Sequence, residues 1–197
     1  MMNVSQLRDL TLKLINSFSS DGELIPPSDN ADLKLAFNDF LNTAQKKFAE
    51  KDKIEGTQII VQPPLDVGED ATLKLNPLPT DLTEINKVIF LDSYGNRGVF
   101  TDYTIENGSI VIDTGYEGTF FIYYYKIPTD LVLDTDTPQI KEQYHNYLAY
   151  YCAGEWLMAS GQQTDGIVRL NQFDSFLNEI IPNTDDSSNG ITNDTGW

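Results

Sequence analysis

The residues with catalytic potential are few. The chain has one histidine, His145, and one cysteine, Cys152, and both fall in a tyrosine-rich stretch with helical periodicity. A Ser-His-Asp triad needs a nucleophile in a strained Gly-x-Ser-x-Gly elbow, and this motif is missing from the sequence. One histidine and one cysteine cannot supply a zinc site. We therefore expect His145 at the surface or in an interface, and Cys152 as a buried small hydrophobe.

Carboxylates offer a second kind of chemistry. Asp130, Asp134 and Asp136 form the densest acidic group and could donate oxygen ligands to Ca²⁺. The glycine-centred calcium loop with its closing glutamate is missing, so turn and cap roles are favoured. No carboxylate pair is singled out for glycoside hydrolysis. The segment Gly95–Gly98 lacks the Lys-Ser/Thr of a phosphate-binding loop. We expect no enzymatic activity, no cofactor and no metal.

Tyrosines form the third group. Tyr144, Tyr147, Tyr150, Tyr151 and Trp156 cover more than one face of a helix. A core face needs only part of that set, so the excess predicts helix contacts on two sides, within the chain or with a neighbouring subunit. Tyr144, Tyr147 and Tyr151 are therefore candidate partner-binding residues.

Helices at the start of the chain follow from apolar residues at three- and four-residue spacing. This spacing predicts two helices within residues 1–53. Asn3 or Ser5 is expected to cap the first, and Ser28 or Asp29 the second.

Helical spacing returns near the C-terminal end. Thr137-Pro138 reads as an N-cap followed by proline at the first helical position, and Gly161 ends this third helix. Thr164 or Asp165 is expected to cap a fourth helix, which the next proline closes.

A strand-rich region occupies residues 54–128. Asn107-Gly108 between two β-branched runs predicts a two-residue type I′ hairpin, because both positions tolerate positive φ. Residues 119–127 are apolar on both faces, which suits a strand in the middle of a module. Residues 93–98 are expected to form a loop. About six strands joined by tight turns predict an antiparallel module.

The resulting fold prediction is α+β: a helical bundle with an inserted antiparallel β-sandwich or barrel-like module. The helical domain comprises residues 1–53 and 129–182, and the β-module residues 54–128. Residues 183–197 are too polar to form a core of their own, so we expect an extended tail docked on a partner.

The charge distribution limits the partners. The net charge of −17 divides into −1 for residues 1–53, −7 for residues 54–127 and −9 for residues 128–197. Acidic surface repels phosphate, which disfavours sequence-independent nucleic-acid binding. Residues 1–5 lack the features of a signal peptide, and no apolar run reaches the ~20 residues that cross a bilayer. We expect a cytosolic protein or one soluble within a particle.

Order and spacing of several segments resemble the head-to-tail connector, or adaptor, proteins of tailed bacteriophages. In that family a Leu-Pro-x-Asp turn precedes a strand, and an aromatic strand ending in Tyr-x-x-x-Pro leads through an acidic linker to a helix opening with Tyr-His. The similarity covers most of residues 5–180. It is carried by the N-terminal helix pair, Leu78-Pro79-Thr80-Asp81-Leu82 with Ile85 and Val88, the segment from Gly118 to Pro128, Leu131, Asp134, Gln143-Tyr144-His145 and Leu148.

The resemblance implies a structural virion protein in the neck, assembled in the host cytoplasm. It implies a homo-oligomeric ring, commonly of twelve subunits, docked beneath the portal protein and presenting a platform to a tail protein or a second adaptor. DNA would pass through the ring without sequence-specific binding, and no membrane is involved. The C-terminal segment would reach the portal, which adds Ile191, Thr192 and Trp197 to the partner-binding residues.

Two alternatives stay open at this point. A tail or baseplate accessory module, binding carbohydrate or another tail protein, would expose Tyr123 or Tyr125 in a groove. A hydrolase using Asp or Glu would place two carboxylates about 5–10 Å apart in one pocket.

Overall fold

The computed structural model describes residues 1–15, 31–66, 68 and 70–180. Within them the fold is α+β, as predicted, with four α-helices, one 3₁₀ turn and two antiparallel sheets. In chain order the elements are α1 (Val4–Leu14), α2 (Ala31–Lys51), β1 (Ile54–Gln62), β2 (Leu73–Pro77), β3 (Leu82–Asp92), β4 (Arg97–Val99), β5 (Thr104–Glu106), β6 (Ser109–Asp113), β7 (Gly118–Lys126), the 3₁₀ turn Glu142–Tyr144, α3 (His145–Ala159) and α4 (Gln163–Glu179).

The N-terminal helix begins where its sequence predicts. Asn3 is the N-cap of α1, and its side chain accepts a hydrogen bond from the Gln6 backbone N–H at 2.9 Å. The Gln6 side chain accepts one from the Asn3 N–H at 3.1 Å, which completes a capping box. Ser28 and Asp29, the predicted caps of α2, lie outside the described residues.

The third helix starts seven residues later than the predicted Pro138 start, at His145. The reason is a set of contacts distant in sequence. Gln139 bonds through its side chain to the backbone N–H and the hydroxyl of Thr129 at 3.1 and 3.3 Å. Ile140 is buried in the helical core. These ties hold residues 138–141 outside any helix, and only the 3₁₀ turn precedes α3.

Glycine ends α3 as predicted. Gly161 has a φ of 80°, and the following Gln162 N–H donates to the Leu157 carbonyl at 2.9 Å, which satisfies a free helix-end acceptor. The fourth helix begins at Gln163, with Gln162 as its N-cap and no side-chain capping bond. The prediction of Thr164 or Asp165 as the cap is therefore wrong, because both lie within the first turn.

The strands form two open sheets. The larger has the order β1-β7-β3-β4 and the smaller the order β2-β6-β5, so the described strands do not close into a barrel. Strand β7 lies between β1 and β3, which fits its apolar character on both faces. Asn107 (φ 48°) and Gly108 (φ 73°) form the predicted tight turn between β5 and β6.

One strand differs from the sequence prediction. Residues 93–98 were expected as loop only, yet β4 begins at Arg97 and pairs with β3. The turn before it is organised by Asp92, whose carboxylate accepts hydrogen bonds from the backbone N–H groups of Tyr94 and Asn96 at 2.9 and 2.8 Å. Such Asx geometry reverses the chain sharply and makes room for a short hairpin strand.

Two buried apolar clusters hold the elements. One joins the four helices and the segment after β7; the other joins the inner faces of both sheets. The buried residues of the helical cluster are Val4, Leu7, Leu12, Leu33, Phe37, Leu41, Ala44, Phe48, Leu131, Ile140, Leu148, Cys152, Phe173 and Ile180. Those of the sheet cluster are Ile60, Val88, Phe100, Ile110, Ile112, Phe120 and Ile122.

Two glycines set the distance between α3 and α4. A Cβ added at Gly154 would lie 2.7 Å from Leu170 Cγ, and one added at Gly166 would lie 2.9 Å from the Met158 backbone nitrogen. The two helices therefore pack against bare backbone at both points, and neither position has room for a side chain.

We predict that Gly166→Ala destabilises the protein by about 1–3 kcal/mol, because the new methyl group forces α3 and α4 apart. The loss occurs although alanine has the higher helix propensity. Gly98→Ala is the matched control, since nothing lies within 4 Å of a Cβ there. Urea unfolding followed by circular dichroism measures both; equal midpoints for Gly166→Ala and the wild type would contradict the prediction.

Candidate functional site

The acidic linker, residues 129–136, is fastened along the helices by its backbone. The Val4 N–H donates to the Asp136 carbonyl at 2.9 Å and the Ser5 N–H to the Asp134 carbonyl at 3.1 Å. These bonds use free N–H groups of the first turn of α1, which the helix itself cannot satisfy. The linker thus completes the N-terminal end of α1.

Amide side chains of α2 form hydrogen bonds to the backbone of the same linker. Asn42 bonds to both backbone groups of Leu131: its Oδ1 accepts from the N–H at 2.7 Å and its Nδ2 donates to the carbonyl at 3.2 Å. Gln45 Nε2 donates to the Thr129 carbonyl at 2.8 Å. Because an amide can match both groups of a peptide, Asn42 pairs with the linker as a neighbouring strand would.

A buried cation adds an ionic tie. Arg8 of α1 is only 5% exposed, and its guanidinium lies 5.3 Å from the ring centre of Phe37 on α2. It donates to Asp134 Oδ1 at 2.8 Å, and this hydrogen bond holds the pKa of the Asp134 carboxyl below its usual range. A single side chain therefore joins α1, α2 and the linker.

The three linker aspartates have separate structural roles. Asp130 pairs with Lys46 at 2.6 Å and Asp134 with Arg8, whereas Asp136 accepts the backbone N–H groups of Leu133 and Val132. Those backbone bonds lower the pKa of Asp136. No group of three or more His, Cys, Asp or Glu side chains in the described part of the chain is placed to hold a metal ion.

His145 lies in the core, which corrects the prediction of a surface or interface position. The residue is 1% exposed. Its Nε2 donates to the Ile140 carbonyl at 3.1 Å, and its Nδ1 accepts from the Met2 N–H at 3.2 Å. Both ring nitrogens serve the fold, and the imidazole points inward because His145 lies on the same face of α3 as the buried Leu148 and Cys152. Cys152 is buried as predicted, and burial raises the pKa of its thiol.

The predicted partner-binding tyrosines lie together, on α3 and the turn before it. Tyr144 stacks on Phe48 at 5.5 Å between ring centres, Tyr147 stacks on Phe176 at 4.0 Å, and Tyr151 packs on Phe173 at 4.9 Å. All three are half-buried and pack against the helical core.

These tyrosines therefore contact α2 and α4 and keep an exposed edge. Burial raises the pKa of the Tyr151 hydroxyl. Contact with a partner stays a prediction for Tyr144, Tyr147 and Tyr151. The other three candidates, Ile191, Thr192 and Trp197, lie outside the described residues.

A groove of about 330 Å³ lies where the helices meet the larger sheet. It contains Tyr125, whose ring centre is 4.3 Å from the Lys53 ammonium, together with Ile127 and Pro128. Glu50 is the only carboxylate among its lining residues. The groove therefore does not hold the carboxylate pair that acid-base hydrolysis would need.

Exposed apolar side chains on both sheets are the feature that sequence reasoning missed. Large hydrophobic residues outside the cores include Ile59, Val61 and Val99 on the larger sheet and Leu73 and Leu75 on the smaller. The alternating pattern of β1 and β2 gave a signal for them, because every second residue of a strand faces away from the core.

These features describe an α+β chain whose ionisable linker residues make internal ties and whose sheets carry exposed apolar side chains. Residues 2–194 match the family model described as SU10 adaptor protein. The chain belongs to this family, and it is a structural adaptor protein of a bacteriophage virion. This match confirms the resemblance to phage adaptors. No curated protein matches the chain. In the described residues, no helix has both the length and the hydropathy needed to cross a bilayer.

We predict that Asn42→Leu costs about 1–3 kcal/mol, because it leaves the Leu131 N–H and carbonyl without partners in a partly buried place. Thr43→Ala is the control on the same helix, since its exposed hydroxyl bonds only to the Asp39 carbonyl one turn earlier. Thermal unfolding at several urea concentrations gives both values. A cost for Asn42→Leu no larger than that for Thr43→Ala would show that the pairing of Asn42 with the Leu131 backbone does not stabilise the fold.

We predict that Asp134→Asn destabilises the protein at pH 7 and that this difference shrinks as the pH falls below about 4. The folded-state pKa of Asp134 is lowered, so its stabilisation is present above the unfolded value and disappears as the pH falls through the folded value. The matched control is Asp130→Asn, whose partner Lys46 is exposed. Melting temperatures of the three proteins from pH 7 to pH 2.5 test this; a difference independent of pH would contradict it.

Proposed function

We propose that this chain is a head-to-tail connector that forms a ring beneath the portal and extends the DNA channel towards the tail. Membership of the SU10 adaptor protein family, over residues 2–194, is the observation that carries the proposal. Apolar surface on both sheets supports it, since a ring subunit must keep contact surface that its own folding does not use. The expected ring is dodecameric and assembles in the host cytoplasm before it joins the virion neck.

We also propose a division of labour along the chain. Residues 1–53 and 129–182 form a helical bundle, and residues 54–128 an inserted sandwich-like module, which accords with the separate buried clusters of helices and sheets. Residues 183–197 form a tail that reaches the portal. A tail protein or a second adaptor docks on the opposite side of the ring.

The charge of the chain suits a DNA conduit. With a net charge of −17, a channel lined by these subunits repels passing phosphates and does not hold them. No sequence-specific reading of bases is required for that role, because the contact is with a moving duplex.

The carbohydrate-binding alternative has less support. Tyr123 and Tyr125 are half-buried, and each ring carries a cation: Lys87 lies 5.3 Å from the first ring centre and Lys53 lies 4.3 Å from the second. A sugar stacking on these rings would have to displace that charge.

A hydrolytic role is also poorly supported. Asp130 and Asp136 line one open pocket, but Asp130 pairs with Lys46 and Asp136 is bonded to backbone N–H groups. The lowered pKa of Asp136 keeps it ionised, whereas a general acid needs a raised pKa.

The test combines location with assembly. We expect antibodies against this chain to label the head–tail junction of virions in electron micrographs. The purified chain, examined by native mass spectrometry and electron microscopy over a wide concentration range, is expected to form rings with a central channel. Labelling confined to the tail tip would overturn the proposal in favour of the accessory-module alternative, and a ring absent from both virion necks and purified protein would overturn it outright.

A further inference from the structure

An apolar row crosses the larger sheet from one edge to the other. The register places Ile59 of β1 opposite Phe121, Phe121 opposite Ile89, and Ile89 opposite Val99 of β4. Residues opposite one another share a face, and this face points away from the sheet cluster, since the buried Phe120 belongs to the other side. Four strands give the row a length of about 14 Å.

This surface is here called the large-sheet face. Its apolar members are Ile59, Val61 and Val99, which are exposed, and Ile89, Leu91 and Phe121, which are half-buried. Ile59 is 58% exposed and Val99 is 71% exposed. Two cations lie beside them: Arg97 is 5.7 Å from the ring centre of Phe121, and Lys87 lies over Tyr123. Glu55 and Glu84 lie on the same face, but at its other end, opposite Tyr125. The apolar end of this face is therefore basic.

The smaller sheet has an outward surface of opposite charge, here called the small-sheet face. It carries Leu73, 70% exposed, and Leu75, 54% exposed. The register places Leu73 opposite Asp113 and Glu106 opposite Ser109. Counting along β6 in steps of two puts all of them on the side opposite Ile110 and Ile112, which are buried against the larger sheet. Val111, in the middle of this side, is itself buried, so the exposed part of the face is Leu73, Leu75 and the acids around it.

We propose that the large-sheet face of one copy packs on the small-sheet face of the next copy, and that this contact joins the subunits. The inference rests on the proposed ring. A ring needs two different, mutually complementary patches on every subunit, and this chain carries both. Apolar side chains meet apolar side chains, while Arg97 and Lys87 meet Glu106 and Asp113.

Charge also disfavours one symmetric arrangement. Two small-sheet faces packed together would oppose Glu106 and Asp113 with their own copies. Like charges brought together in an interface cost free energy. In the proposed arrangement the second copy is bound head to tail, which leaves each end of a chain of subunits open until the ring closes.

The first experiment uses one variant for each face, measured by sedimentation velocity. Ile59→Glu with Val99→Glu places acids against the acidic partner face, and Leu73→Lys with Leu75→Lys places bases against the basic one. Each variant alone is expected to self-associate about tenfold or more weakly than the wild type. Val132→Glu is the control, because Val132 is exposed and lies outside both faces. Wild-type association by either face variant would overturn the proposal.

Mixing the two variants distinguishes a head-to-tail contact from a general loss of stability. Each variant keeps one intact face, so an equimolar mixture is expected to recover species of at least two subunits that neither protein forms alone. Circular dichroism melts establish that both are folded. A mixture of two folded variants that stays monomeric would overturn the proposal.

Cross-linking covers the case in which the wild-type contact is weak. A chain with Val99→Cys and Leu75→Cys, treated with a short bis-maleimide, is expected to give a ladder of multimers, whereas each single cysteine variant gives none. The native Cys152 is buried and does not react. No ladder means that the faces do not meet. If virions contain the ring but no ladder forms, the assignment of these two faces is wrong and the proposed function stands. If the ring is absent as well, the proposed function is also wrong.

Discussion

A buried guanidinium determines how the helical part of this chain is arranged. The guanidinium of Arg8 can lie inside the protein because Asp134 balances its charge and the Phe37 ring lies beside it. Three segments distant in sequence must therefore meet at one point: α1, α2 and the acidic linker. The backbone hydrogen bonds of Val4 and Ser5 to the linker then fix the orientation of the linker relative to α1. The position of the linker, in turn, decides where α3 can begin.

The joint between helices and sheets follows from the same arrangement. The chain leaves the helices between α2 and β1 and returns between β7 and the linker, and the two crossings lie side by side because Ile54 pairs with Lys126. Asp52, whose side chain is 5% exposed, lies at the first crossing and binds Lys141, in the segment before α3, at 2.8 Å. That hydrogen bond raises the pKa of Lys141. The helices and sheets are thus joined at two covalent crossings, and the ion pair fixes the first crossing to the segment before α3.

Turns and helix ends could be predicted from the sequence, whereas hydrogen bonds between segments distant in the sequence could not. Turns such as Asn107-Gly108 and the helix end at Gly161 depend on backbone preferences of the residues themselves, and both were predicted. The start of α3 depends on Gln139 reaching Thr129, which no periodicity encodes. The burial of His145, in contrast, follows from its three- and seven-residue spacing to Leu148 and Cys152 on one face of α3. Exposed strand residues such as Ile59 were overlooked, because alternation shows which side chains share a face without showing which face a neighbour covers.

The internal and the outward contacts of this chain have different physical properties. Internal ties such as Arg8–Asp134 are polar, directional and partly buried, which fixes the relative positions of α1, α2 and the linker. The outward sheet faces carry exposed apolar side chains, and contact between apolar side chains is non-directional. In the proposed ring such apolar contacts would tolerate small adjustments between identical subunits, while the internal ties keep the fold of each subunit the same.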